Sequence, residues 1–231
     1  MSARFEHSAD VAAGAWIAPR LAGSFGAAGR VCPTGFEAYA RVFHPVGDDG
    51  LQWHDVAATM GRVAHPLMQW SRISGIFYGR RLFGDWRGDE PQTGALPPRF
   101  LATLADAIGG DAPITVGLWT GYGDLDSRVR DGVTLSLPGR DYALFRGDLA
   151  ALRDADWPRS SRWPSPSRET VNLAWPDDQS WFVASEIDFD STVVGGSRAL
   201  IERVISSDLE TAEIDATSDL SSEGDRINPS V

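Results

Sequence analysis

Residues 175–205 read WPDDQSWFVASEIDFDSTVVGGSRALIERVI, and the reading of this stretch decides the fold. From Trp181 to Phe189 apolar and polar residues alternate, which predicts a strand with Val183, Ile187 and Phe189 on a buried face and Glu186, Asp188 and Asp190 in a row on the other. Gly195-Gly196 then reads as a turn, and Leu200, Ile201 and Val204 give the next segment, Ser197–Ile205, a helical apolar stripe. A strand followed by a short connection and an amphipathic helix points to mixed α and β structure.

Working outward, the same rules place further elements. Phe36, Ala38, Ala40 and Val42 alternate with Glu37, Tyr39, Arg41 and Phe43, which predicts a strand ending at His44-Pro45. Trp53, Val56, Ala57, Met60 and Val63 have helical spacing, and Pro66 suits the first turn of a helix through residues 67–73. Pro97-Pro98 opens a helix with Leu101, Leu104 and Ile108 inward, closed by Gly109-Gly110. Residues 114–119 form a strand, and 133–137 and 142–145 a hairpin across Pro138-Gly139-Arg140-Asp141. Residues 149–154 form at most a short helix, and the Pro/Ser/Arg stretch 157–168 reads as a loop. Strands and helices without regular βαβ spacing predict an α+β fold with a mostly antiparallel or mixed sheet and a few packed helices. The expected organisation is a flexible N-terminal arm over 1–15, a single domain over 16–210, and an acidic, weakly ordered tail over 211–231.

Composition excludes more chemistry than it proposes. With a net charge of −11 the chain repels phosphate backbones, so nucleic acid is not an expected partner and a basic protein is. All 21 basic residues are arginine. Without lysine there is no Walker A phosphate contact, no Schiff base to a carbonyl or pyridoxal phosphate, and no kinase lysine. Cys32 is the only cysteine, which rules out an internal disulfide and any cysteine-rich metal site. No G-x-S-x-G elbow occurs. The N-terminal residues Glu6, His7 and Asp10 interrupt what a signal peptide would need, and no run of apolar residues is long enough to span a bilayer, so a cytoplasmic protein without membrane contact is expected.

The segments PTGFEAYARVFHPV, GRVAHPLMQW, LWTGYGD, PGRDYALFRG, WPDDQSWFVASEIDFDSTVVGGSRALI and the terminal DRIN resemble a family of uncharacterised single-domain proteins of high-GC bacteria. The resemblance implies that these segments form one recurring unit; it carries no activity.

Among candidate functional groups, the Glu186/Asp188/Asp190 row comes first. Like charges about 7 Å apart on one strand face repel unless arginine, water or a cation neutralises them. Asp188 and Asp190 as metal ligands, with Glu186 as base or third ligand, would suit a metal-dependent hydrolase or transferase. A solvated or arginine-paired face is the simpler expectation. His44, His54 and His65 fall in one third of the chain, but in no metal-ligand spacing. Trp163 and Trp175, close to prolines, could line a groove for a ligand or peptide. Arg-Gly-Asp occurs at 87–89 and 146–148, as chance allows in a chain rich in all three residues. The expected function is a cytoplasmic binding or interaction module with an acidic, Trp-bearing surface and no cofactor, rather than an enzyme.

Overall fold

The computed structural model describes residues 5–47, 49–77, 79–84, 86–123, 125–160, 163–164 and 170–228. Among these residues eleven strands run β1 (Glu6–Ser8), β2 (Ala38–Phe43), β3 (Ile76–Phe77), β4 (Arg80–Arg81), β5 (Pro113–Trp119), β6 (Leu135–Leu137), β7 (Arg140–Asp148), β8 (Leu173–Pro176), β9 (Phe182–Ser185), β10 (Ser191–Gly196) and β11 (Thr211–Ile214). The helices are α1 (Ala28–Val31), α2 (Trp53–Thr59), α3 (Trp70–Ser74), α4 (Pro98–Ile108), α5 (Ser127–Arg130), α6 (Leu149–Leu152), α7 (Trp157–Ser160) and α8 (Arg198–Ile205). Nine strands form one sheet in the order β1-β7-β5-β8-β9-β10-β2-β11, with β6 also on β7, and β3 and β4 form a separate ribbon. Every pairing in the large sheet is antiparallel. The fold is therefore α+β, with an antiparallel sheet and a few packed helices.

Local chemistry accounts for the best-defined helices. Pro98 starts α4 at a position whose N–H has no helical partner, and Gly109 ends it at φ 73°. Ser197 caps α8 by accepting from the Leu200 amide. The two helices lie side by side, and Arg203 of α8 donates to the carbonyls of Ala107 and Ile108 at the end of α4 (3.1 and 2.8 Å). The N-terminus of α2 is capped at long range by Glu210, whose carboxylate accepts from the Trp53 and His54 amides.

The sheet is covered on both faces. On one, Ala40, Val42, Val116, Val183 and Val194 pack with Leu104 of α4 and Val204 of α8. On the other, Tyr39, Leu173, Phe182 and Val193 meet Ile17, Ala28 and Cys32 of the N-terminal segment. Strands β2, β8, β9 and β10 are buried at every position. A strand buried on both faces carries no polar alternation, and this corrects the reading of 181–189. Only Phe182–Ser185 is strand; residues 186–190 form the connection to β10, with the Phe189 amide donating to the Glu186 carbonyl (2.9 Å). Val183 is buried as expected, whereas Ile187 and Phe189 are half-buried.

Gly195 and Gly196 lie inside β10 and make no turn. A Cβ at Gly195 would stand 2.5 Å from Phe36 and 3.0 Å from the Cys32 sulfur, so the glycine admits the N-terminal segment to close contact with the sheet. Gly195→Ala is expected to destabilise the fold by about 1–3 kcal/mol through overpacking, and its denaturation midpoint measures this.

Both expected loose ends are built into the body. β1 pairs with β7, and Phe5 sits edge-on to Trp157 and Trp163 at 5.4 and 6.0 Å. β11 extends the sheet beside β2, Asp219 bridges to Ala27, and Leu220, Asp225 and Asn228 are buried. The acidic composition of 211–228 hides a long-range partner for Asp225, while residues 1–4 and 229–231 lie outside the described residues. No helix of the described residues is long and apolar enough to cross a membrane.

Candidate functional site

The turn from β9 to β10 does not present its carboxylates as a row; two arginines pull them apart. Arg140, at the start of β7, donates from Nε and Nη2 to Glu186 (3.1 and 2.8 Å) and from Nη2 to Asp188 (2.7 Å). Its guanidinium lies 5.8 Å from the centre of the Trp119 ring. Asp190 turns the other way and faces Arg41 Nη2 at 3.7 Å. Arg41 is fully buried; its Nε donates to Ser191 (2.9 Å) and its Nη1 to the carbonyls of Met68 and Pro66 (2.8 and 3.3 Å). The guanidinium lies beside the Phe43 and Trp53 rings, 4.5 and 5.5 Å from their centres. Burial lowers the Arg41 pKa to about 10 against the opposing pull of Asp190, Asp225 and Glu210, and burial raises that of Asp190 against the pull of Arg41. Each member of the predicted row thus already has a guanidinium partner, and among the described residues no three His, Cys, Asp or Glu side chains are grouped to hold a metal ion.

Asp188 and Asp190 nonetheless reach a concavity. A cleft of about 200 Å³ opens between α3 with the β3 strand on one side and the C-terminal segment on the other. Trp70, Phe77, Phe25 and Leu220 supply apolar walls, and Glu90, Asp188 and Asp190 bring carboxylates to it. Phe25, at 80%, is the most exposed large hydrophobic side chain among the described residues. Trp70 is 4% exposed, and its indole N–H is buried with no hydrogen-bond partner among the described residues. The lining comes from five separated stretches of chain, and of its residues only Asp188 and Asp190 stood out in the sequence. Phe25, a lone aromatic in an Ala/Gly/Ser-rich stretch, was the one further signal available.

The other sequence candidates have structural duties. Trp163 and Trp175 are 7% and 2% exposed, so neither lines a surface groove: Trp163 packs on Phe145 and Trp157, and Trp175 stacks on Phe182. Six of the nine tryptophans are buried and Trp16, Trp86 and Trp119 are half-buried, so the two expected to line a groove belong to the core instead. Cys32 is buried, and burial pushes its thiol pKa up, away from thiolate chemistry. The three central histidines each serve different partners. His54 meets Glu210 and Asp55 at the start of α2. His65 donates from Nε2 to Asp225 (2.8 Å) while its Nδ1 accepts from the Leu67 amide (3.3 Å), leaving neither ring nitrogen for substrate.

His44 is fully buried, with Nδ1 2.6 Å from the Gln92 carbonyl and Nε2 2.8 Å from Thr192 Oγ1. A carbonyl only accepts, so Nδ1 carries the proton and Nε2 accepts from Thr192, which accepts in turn from Ser185 at 2.6 Å. This chain is sealed inside the core and holds His44 neutral: burial lowers its pKa to about 4, with the Gln92 hydrogen bond opposing. An unfolded chain would bind a proton here from about pH 6.5 downward, and the folded one only near pH 4. The stability gained by keeping His44 neutral is therefore complete above pH 6.5 and is lost as pH falls to 4, a decline on the order of 3 kcal/mol. Urea titrations between pH 7 and 4 are expected to show this slope, and His44→Gln to flatten it; an unchanged slope in the variant would assign it to other groups.

Comparison with protein-family models, curated proteins and solved structures finds no match to this chain.

Proposed function

We propose that this protein is a binding module that receives a cationic group of a basic partner protein in the cleft beside α3. The observation that carries the reading is the meeting of Glu90, Asp188 and Asp190 with aromatic walls in a single concavity, on a chain of net charge −11. Carboxylates at the rim of a site raise the rate of encounter with a positive partner and select its sign, while apolar walls supply area to bury. The alternative of a metal-dependent hydrolase or transferase built on Glu186, Asp188 and Asp190 is less well supported, because Arg140 and Arg41 draw the three carboxylates apart and among the described residues no three His, Cys, Asp or Glu side chains are grouped to hold a metal ion.

Calorimetry with a ten-residue peptide of alternating arginine and glycine tests the proposal. Binding is expected at low salt and to weaken by about tenfold in 0.5 M salt, where charges are screened within a few ångströms. Glu90→Gln combined with Asp188→Asn should remove most of it, since Glu186 remains to hold Arg140 in place. Absence of binding, or binding equal in wild type and double variant, would refute a cationic partner at this cleft.

A further inference from the structure

We infer that this protein carries a second docking surface, opposite in sign to the cleft, for an acidic and aliphatic segment of a partner protein. Three stretches of chain meet there: residues 60–63, 81–84 and 226–228. Gly84 packs against Met60, since a Cβ on the glycine would stand 2.7 Å from the Met60 Cε. Val63 is tied to the Asn228 side chain through its amide and its carbonyl, at 2.9 and 3.0 Å. Val63, Leu82 and Ile227 are 53%, 38% and 58% exposed, so three of the eight large hydrophobics exposed among the described residues fall in this one neighbourhood. Single exposed aliphatics need no explanation, whereas a group of them marks an interaction site.

Charge is the second argument. The three stretches hold three arginines and no Asp or Glu, in a chain with 32 acidic residues to 21 basic. Asp225, next to them in sequence, is buried and accepts from His65 Nε2 and the Gln69 amide. Arg62 and Arg81 are both anchored at Phe83-Gly84 by uncharged groups. The Arg62 guanidinium lies 4.9 Å from the centre of the Phe83 ring, and Arg81 Nη1 donates to the Gly84 carbonyl (3.2 Å). Neither of them, nor the exposed Arg226, forms an ion pair with a described residue. Two guanidinium groups held at one turn without a counter-charge repel each other, and an arriving carboxylate removes that cost. Because contacts already restrain both side chains, little freedom is lost when it binds.

The same features select a protein segment over other anions. Three arginines on a chain of net charge −11 fall short of the four to eight basic residues that read as a site for anionic lipid. Nucleic acid demands still more phosphate contacts, and single strands need open aromatic faces, whereas the Phe83 ring is taken by Arg62. A peptide needs only two or three carboxylates to match the arginines and a few aliphatic side chains to cover Val63, Leu82 and Ile227. Arginine at such a surface forks to a carboxylate, and an apolar centre with charged edges is the usual anatomy of a protein interface.

The test uses the intact protein and an acetylated peptide of four Glu-Leu-Ser repeats, titrated while the backbone amides of Val63, Leu82 and Ile227 are followed by NMR. Saturable shifts of these amides are expected, with binding about tenfold weaker in 0.5 M salt than at low salt. Arg81→Gln combined with Arg226→Gln, both at exposed positions where folding is not at risk, should weaken the peptide at least tenfold. Arg81→Lys, which keeps the charge and loses the fork, should fall between the wild type and Arg81→Gln. The peptide with Gln in place of Glu should not bind, and the one with Ser in place of Leu should bind several-fold more weakly. No shift with the Glu-Leu-Ser peptide, or equal affinity in the wild type and the double variant, overturns the inference. So does equal affinity for the leucine-free peptide, which would leave only unspecific charge attraction. Tighter binding of phosphatidylserine vesicles or of a thymidine oligonucleotide through the same arginines also overturns it, since the surface would then be one for phosphate. The cleft reading stands or falls separately: Glu90→Gln with Asp188→Asn should leave the Glu-Leu-Ser peptide unaffected, and Arg81→Gln with Arg226→Gln should not weaken the arginine–glycine peptide.

Discussion

Arg41→Met is expected to cost about 3–5 kcal/mol, the range for removing one partner of a buried ion pair. The side chain has no exposed surface, and its loss strips a donor from Ser191 and from the carbonyls of Pro66 and Met68 while leaving Asp190 without its counter-charge. These partners lie on three separate parts of the fold: strand β10, the stretch leading into α3, and the turn that carries the acidic residues. Asp190→Asn makes the complementary error, leaving a buried guanidinium without its anion, and is expected to cost a comparable amount. The double variant should cost less than the sum of the two, with a coupling on the order of 1–3 kcal/mol. A domain stabilised by about 5–15 kcal/mol overall would register either change plainly. Urea midpoints at neutral pH decide the matter: a shift under about 1 kcal/mol for Arg41→Met would mean that water reaches the guanidinium.

Arg41 also shows why part of this fold was legible in the sequence and part was not. Helix α4 is punctuated by Pro97-Pro98 and Gly109-Gly110, and α8 by Ser197, so local chemistry marks their ends. β5 and the β6–β7 hairpin carry equally local signals, and the antiparallel α+β class follows from them. In β2 the expected strand formed, but Arg41 occupied a position that alternation assigns to solvent, whereas the N-terminal segment and α2 with α3 cover that face. The same double coverage hid the end of β9. Trp181, Phe182, Val183 and Ala184 are all buried, on alternate faces, so the apparent period of two beyond Ser185 belonged to a turn held by Arg140. The cleft was less legible still: its walls come from residue 25, residues 69–77, residues 90–93, residues 188–190 and residues 220–222, which only the tertiary fold brings together. Acidic composition read as a disordered end because two of the donors to Asp225, His65 Nε2 and the Gln69 amide, come from a segment that only the tertiary fold brings beside it.

Deleting the chain from Asp219 onward, or replacing Asp225 with alanine, is expected to show how much the fold depends on this end. Asp225 Oδ1 accepts from His65 Nε2 and from the amides of Ile227 and Asn228 (2.8, 3.1 and 2.9 Å), and Oδ2 from the Gln69 amide and Asn228 Nδ2 (3.2 and 2.9 Å). Asn228 in turn pairs with both main-chain groups of Val63, at 2.9 and 3.0 Å. One carboxylate and one amide thereby tie the chain end to the segment that leads into α3. Each buried donor left without an acceptor costs about 1–3 kcal/mol, and because the five act together Asp225→Ala should cost about 4 kcal/mol rather than their sum. Burial alone would raise the Asp225 carboxyl, but the hydrogen bonds from Asn228, His65 and the Gln69 amide outweigh it and hold the pKa below the ordinary range. The sign follows: the contribution is complete above the unfolded carboxylate pKa of about 4 and is lost as pH falls through the lower folded value. The truncation goes further, since it also removes Leu220 from the core beside Ala28 and the acceptors of Arg72, the Ser222 carbonyl and Glu223. A chain ending at Ser218 should therefore unfold at least as easily as Asp225→Ala, and should lose the cleft wall formed by 220–222 together with any binding of the arginine–glycine peptide. If the truncated protein keeps its wild-type midpoint, the terminal segment is held by nothing that matters to the fold, and the donors of Asp225 must find other acceptors.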